Sequence, residues 1–174
     1  YNGLGDGSHT FRVQATDAAN NTDATPASIT WSVDTSSPSV VVSSAATSPT
    51  NDPTFSVTVT FSEAVTGFAP TVAGGDLDIT NGTASTPAGS GTTYTFNLSP
   101  SGQGPVTVQV PAGSGQDAAG NGNIVSNLFS ITYDSVAPTV TIAPAAGQLD
   151  PTSGSPINFT ATFSETVTGF GLDV

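Results

Sequence analysis

Oxygen is the one ligand element this chain offers in quantity. Its 174 residues carry thirteen carboxylates against a single Arg, with one His, no Lys and no Cys. Carboxylates, side-chain amides and backbone carbonyls suit a hard cation such as Ca²⁺. Thiolate metal sites and disulfides are excluded. The acids that stand out occur twice in nearly the same setting, as Asp17-Ala18-Ala19-Asn20-Asn21-Thr22-Asp23 and as Asp117-Ala118-Ala119-Gly120-Asn121-Gly122-Asn123. Gly and Asn at this density favour turns and left-handed backbone, so each heptapeptide reads as a loop. A loop that recurs at a fixed period is either a repeated structural corner or a repeated ligand site.

Other segments recur with the loops. Asp34 is matched by Asp134, and Ser37-Pro38-Ser39-Val40 by Ala137-Pro138-Thr139-Val140. Phe61-Ser62-Glu63-Ala64-Val65-Thr66-Gly67-Phe68 is matched by Phe163-Ser164-Glu165-Thr166-Val167-Thr168-Gly169-Phe170, two residues out of phase because of extra residues near Gly147–Asp150. The repeat defines a unit of about one hundred residues, a size that fits a β-sandwich domain. Residues 35–134 form the complete unit. Residues 1–34 read as the C-terminal part of a preceding unit and 135–174 as the N-terminal part of a following one, as in a fragment of a longer tandem array.

Within the complete unit, apolar residues alternate with period two, the mark of half-buried strands. Phe55, Val57, Val59 and Phe61 share one face, as do Tyr94, Phe96 and Leu98, then Val106, Val108 and Val110, then Phe129, Ile131 and Tyr133. With Val40–Ser43 and a strand around Leu77 and Ile79, this predicts about seven antiparallel strands in two sheets, with almost no helix. The expected core is Phe55, Val57, Val59, Phe61, Tyr94, Phe96, Val108, Ile131 and Tyr133.

Those strands place the acids. With the strands lettered A to G, the heptapeptide 117–123 joins F to G, and Ser62–Phe68 joins B to C. Both loops lie at one end of an immunoglobulin-type sandwich, where strand A also enters. Asp34, Glu63 and Asp117 therefore converge on the junction with the preceding unit, and Asn121 and Asn123 can add carbonyl oxygens. Three carboxylates held together repel one another, and no Lys is present to offset them. This favours a Ca²⁺ ion shared by the linker and both loops. By the same logic Asp134 and Glu165 form half of a second site. The competing reading is turn chemistry alone, in which Asp accepts backbone hydrogen bonds and Gly supplies positive φ.

Composition narrows the remaining classes. A net charge of −12 excludes nucleic-acid binding through a basic surface. No apolar run reaches membrane-spanning length. The lone His9 has no paired base, and the acids sit in repeated loops with no substrate cleft implied, so an enzyme is not expected. Asp76 and Asp78 read as solvent-facing strand residues. The Asn-x-Ser/Thr triplets at Asn20, Asn81, Asn97 and Asn158 arise readily by chance in a chain rich in Ser and Thr.

The stretches 59–68, 78–83 and 117–123 resemble the bacterial immunoglobulin-like repeats of large surface proteins and adhesins, and Leu4–Asp17 resembles the second half of a sister repeat type. The resemblance implies an all-β chain of tandem immunoglobulin-like antiparallel sandwiches. It also implies a secreted or cell-surface location and a role as a stalk or fibre segment with Ca²⁺-stiffened junctions. The partners it implies are neighbouring repeats of the same chain. The alternatives are a module that binds glycan or a cell surface, an accessory domain of a secreted hydrolase, and a subunit of a self-assembling filament.

Overall fold

The computed structural model describes residues 3–70, 75–85 and 87–171. The chain forms two compact units, Tyr1–Asp134 and Ser135–Val174. Every regular element among the described residues is a β-strand. Val, Ile, Thr, Phe and Tyr dominate these segments, and β-branched and aromatic side chains pack well on a pleated surface.

The first unit opens with a ribbon of β1 (Gly7–Val13) and β2 (Ala27–Val33), paired antiparallel. Seven strands follow in two antiparallel sheets. The four-stranded sheet has the order β3-β4-β7-β6, from β3 (Val40–Ser43), β4 (Phe55–Val65), β7 (Ala88–Pro100) and β6 (Gly82–Ala84). The three-stranded sheet has the order β5-β8-β9, from β5 (Asp78–Thr80), β8 (Gly104–Gln109) and β9 (Phe129–Tyr133). Seven strands in two sheets match the expectation from alternation. The short β6 was not foreseen, since Gly-Thr-Ala carries no apolar signal.

One core lies between the sheets. Val57, Val59, Leu98, Val106, Val108 and Val110 have essentially no exposed surface. Phe61, Phe68 and Tyr94 pack edge to face at one end of the core, with ring centroids 4.9–6.0 Å apart, an arrangement that the opposed charges of ring face and edge favour. Of the expected core residues, only Tyr133 is merely half-buried.

Two local features carry the chain to the end of the sandwich that matters. The pairing of β4 with β7 shifts register between Thr60 and Val65, where four residues on β4 stand against one on β7 (Thr60↔Thr93, Val65↔Gly91). Such a bulge bends and twists its strand. As a result Ser62 and Glu63 belong to a continuing strand, and the expected loop over Ser62–Phe68 begins only after Val65. The incoming linker is fixed as well. Ser39 N–H donates to Ser62 Oγ (3.0 Å), Ser62 N–H donates to the Ser39 carbonyl (2.9 Å), and Ile124 N–H donates to the carbonyl of the buried Pro38 (2.9 Å).

The second unit contains β10 (Val140–Pro144) paired antiparallel with β11 (Phe159–Phe163). Its register repeats that of β3 and β4, with Val140 opposite Phe163 as Val40 is opposite Phe61. Thr139 and Ser164 reproduce the Ser39–Ser62 hydrogen bonds, and Phe163 meets Phe170 edge-on at 5.2 Å as Phe61 meets Phe68 at 5.1 Å. The β1–β2 ribbon likewise repeats β8–β9. Gly7 pairs with Val33 and Gly104 with Tyr133, and both glycines have positive φ.

Candidate metal centre

The loop at 117–123 is built around one carboxylate. Asp117 Oδ1 accepts the N–H groups of Ala119 and Asn121, each at 2.8 Å, and Oδ2 accepts Asn121 Nδ2 at 2.8 Å. Asp117 N–H donates to the Asn121 carbonyl at 3.1 Å, and Gly120 takes φ 93° to complete the turn. The loop at 17–21 repeats each element. Asp17 Oδ1 accepts Ala19 and Asn21 N–H, Oδ2 accepts Asn21 Nδ2, and Asn20 takes φ 65° where the later loop has Gly. Asn is among the few residues that tolerate this region, so the substitution leaves the backbone path unchanged. The heptapeptide therefore recurs first of all as a corner.

Its hydrogen bonds also fix a charge state. The amide of Asn121, aided by the backbone N–H groups of residues 119–121, holds the Asp117 carboxyl below its ordinary value of 3.8, against the opposing effect of burial. Asn21 does the same for Asp17. Both carboxylates are ionised at neutral pH.

The second loop differs in its surroundings. One carboxylate oxygen from each of Asp34, Glu63 and Asp117 lies within 4.8 Å of the other two, the one such group of three found among the described residues. Asp34 is the first residue of the linker after β2 and is exposed, Glu63 lies within the bulge of β4 and is half-buried, and Asp117 is buried. Asn121 Nδ2, besides its bond to Asp117, donates to the Asp34 carbonyl at 3.0 Å. Linker and loop are thus tied by an amide across a cluster of three mutually repelling acids.

The donor set fits a hard divalent ion. At Ca–O distances of 2.3–2.6 Å, oxygens on opposite sides of one Ca²⁺ are about 4.6–5.2 Å apart, so three oxygens within 4.8 Å of one another can reach one ion once the Asn121 bond to Asp117 Oδ2 is displaced or shared. Nearby amides are not arranged as ligands. Asn121 turns its NH₂ toward the acids. Asn123 is almost wholly buried and works as a backbone clamp, with Oδ1 accepting Gly115 N–H (2.7 Å) and Nδ2 donating to the carbonyls of Pro111 (2.9 Å) and Ile124 (2.7 Å). Asp134 lies in the first unit, its N–H bonded to the Thr50 carbonyl at 2.8 Å, and Glu165 lies in the second.

Asp6, which sequence reasoning passed over, holds the start of the linker. Its carboxylate accepts Thr35 N–H (2.9 Å), Thr35 Oγ1 (2.7 Å) and Ser36 Oγ (2.8 Å), and these bonds, the hydroxyls first, hold its pKa below 3.8. Asp34 Oδ1 accepts Ser36 N–H at 3.0 Å. The only signal for Asp6 was an Asp-Gly pair just ahead of a strand. Other candidates resolve as structural parts. Asn81, at φ 56°, donates to the carbonyls of Gly102 and Pro105, Asp76 Oδ2 accepts Ala69 N–H, and His9 bonds the Gly5 carbonyl beside Trp31.

Compared with known proteins, residues 34–133 match a family model described as a bacterial Ig-like domain. No curated protein and no solved structure matches the chain. No helix among the described residues is long and apolar enough to cross a membrane.

Proposed function

From the premise that this chain belongs to the bacterial Ig-like domain family, whose members are commonly modules of cell-surface proteins and typically non-enzymatic, we propose that it is a stalk segment of an extracellular surface protein. In this reading sandwiches follow one another in tandem, and a divalent cation, Ca²⁺ by its donor set, stiffens the junction ahead of residue 35. The observation that carries the proposal is the meeting of Asp34, Glu63 and Asp117 where the linker enters the sandwich. A spacer must resist bending between units, and a cation there would bind the linker to two elements of the following sandwich. The equivalent register and side-chain bonds of β3–β4 and β10–β11 support a repeated unit.

An extracellular site needs a dissociation constant only on the order of 10⁻⁴ to 10⁻³ M to be filled at millimolar Ca²⁺. The test is isothermal titration of the chain with CaCl₂, joined to amide exchange over residues 34–39 and 117–123. Binding should slow exchange in both segments, and Glu63→Gln should abolish both the heat and the protection. A chain that gives no Ca²⁺ heat, and whose linker exchanges equally with Ca²⁺ and with chelator, would refute the cation. The stalk would then have to rely on the Asn121 and Asp6 hydrogen bonds alone.

A further inference from the structure

The turn that recurs at 17–21 and 117–121 holds the same asparagine in two different chemical settings. Asn21 and Asn121 each donate Nδ2 to Oδ2 of the loop aspartate and the backbone N–H to its Oδ1. Asn21 is followed by Thr22, and Asn121 by Gly122. The following residue decides whether an asparagine side chain can react with its own backbone. The next backbone nitrogen must attack the side-chain carbon Cγ, an approach that a β-branched neighbour crowds and glycine leaves open. Packing favours glycine at 122, because a Cβ there would lie 3.2 Å from Gly113 Cα. The Gly122 N–H enters no hydrogen bond among the described residues. Asn121 and Gly122 are both half-buried, within reach of water. The other asparagines of the sandwich core region are better guarded. Asn81 also precedes a glycine, but it gives Nδ2 to the carbonyls of Gly102 and Pro105, and Gly82 is paired with Pro100 in the β6–β7 ladder. Asn123 is buried and followed by Ile124.

We propose that Asn121 is a self-modifying position, whose side chain deamidates through a cyclic imide and thereby releases the linker from the loop. Gly122 N forms a bond to Asn121 Cγ and gives up its proton, the Cγ–Nδ2 bond breaks, and the side-chain nitrogen leaves as ammonia. Water then opens the imide at either carbonyl. One opening gives aspartate, and the other gives isoaspartate, in which the main chain runs through the side chain. Water is consumed and ammonia released, with no oxidant or reductant. In the closed turn the amide is held by Asp117 and by the Asp34 carbonyl, so the reaction belongs to moments when the loop opens, and loops open locally at far less cost than the core. The change is one-way. A carboxylate has no hydrogen to donate, so both bonds of Asn121 Nδ2 are lost. The new charge also faces Asp117 and the Asp34 carbonyl, in a cluster that already holds three acids. Of the ties on residues 35 and 36, those from Asp6 remain. The inference needs neither the cation nor the stalk.

The test is prolonged incubation of the folded chain in mildly alkaline buffer with chelator, followed by mass-spectrometric mapping of a chymotryptic digest. Alkali speeds the attack by removing the proton from the backbone nitrogen. Asn121 should show the mass gain of an amide turned to an acid, in separate aspartate and isoaspartate peptides, while Asn21 keeps its amide. Thr22→Gly, at an exposed position, should make Asn21 convert as well. Amide exchange over residues 34–36 and 117–121 should be faster in the converted chain than in fresh chain. Asn121→Asp should reproduce that gain, and unchanged exchange over 55–61 will verify that the sandwich is intact. Retention of the Asn121 amide in the folded chain, under conditions that convert it in urea, would overturn the inference. So would equal exchange before and after conversion, conversion of Asn21 alongside Asn121 in the wild-type chain, or an Asn21 that stays intact in Thr22→Gly. Every measurement is made in chelator, so the cation reading stands or falls separately.

Discussion

Replacing Asn123 with Ala separates the two roles open to that residue, cation ligand and backbone clamp. The side chain is 2% exposed and makes three hydrogen bonds, to Gly115 N–H and to the carbonyls of Pro111 and Ile124. At about 1 kcal/mol each, their loss costs about 3 kcal/mol, and a buried donor left without a partner adds up to about 2 kcal/mol more. Gly115 cannot easily move to water, because its segment lies against β4. A Cβ placed there would come within 3.1 Å of Val65 Cγ2. The expected loss of about 3–5 kcal/mol is a large part of the 5–15 kcal/mol typical of a domain. With an m-value of about 1.5 kcal/mol/M for a small domain, the urea midpoint should fall by about 2–3 M. Urea unfolding followed by far-ultraviolet circular dichroism, in chelator and in millimolar Ca²⁺, measures it. The loss should be the same in both. A loss under about 1 kcal/mol, or one that appears only with Ca²⁺, would refute the clamp and return Asn123 to the ligand set.

The pH dependence of stability should carry the mark of Asp117. Its folded pKa is depressed by the Asn121 amide and the loop N–H groups, so its contribution is complete above the unfolded value of about 3.9 and is lost as pH falls through the lower folded value. Asp117→Asn should flatten the stability profile in that acid window, and an unchanged acid limb would contradict the loop geometry. Proteases should mark the limits of the packed core. With Arg12 the one basic residue, trypsin has a single side-chain target even in the unfolded chain, so its failure to digest says nothing about packing. Chymotrypsin should cut first after the exposed Phe159 and Phe170 and spare Phe55, Phe61 and Phe96. Early cleavage at the latter three would argue against the sandwich.

The strands were legible because their signal is local. Phe55-Ser-Val-Thr-Val-Thr-Phe61 alternates without a break, and burial follows it residue by residue. The heptapeptide was legible as a turn for the same reason, since Asp117 and Asn121 close it within five residues. What sequence alone did not show was the destination of side chains that reach across the fold. Asn123 read as a spare oxygen in an acidic loop, but its partners at 111 and 115 lie on the far side of a turn whose path no pattern marks. Glu63 read as a loop residue because a bulge leaves no trace in alternation beyond a lapse in it. Asp6 is bonded to residues 35 and 36 only because β1 and β2 pair antiparallel, a long-range fact that a single Asp-Gly pair cannot announce.

The two copies of the heptapeptide show the order in which corner and site depend on each other. At 17–21 the turn is complete without Glu63 or Asp34 beside it, so neither acid is needed to shape the loop. At 117–121 the same turn commits Asp117 Oδ1 to two backbone amides and Oδ2 to the Asn121 amide. An ion shared with Asp34 and Glu63 must therefore approach Oδ2, where it competes with Asn121, whose NH₂ also holds the Asp34 carbonyl. In the proposed site Asn121 would stand in for the cation in a weaker form, since it joins the same linker to the same loop by hydrogen bonds. Two consequences would follow for binding. The junction would be partly organised before an ion arrived, which would lower the entropy of ordering that binding must overcome. Against this, an ion would have to displace or share bonds already made, which would limit its affinity to the range of weak extracellular sites. Both effects act through one side chain. Removing the Asn121 amide would loosen the junction in chelator and at the same time open Asp117 Oδ2 to the ion.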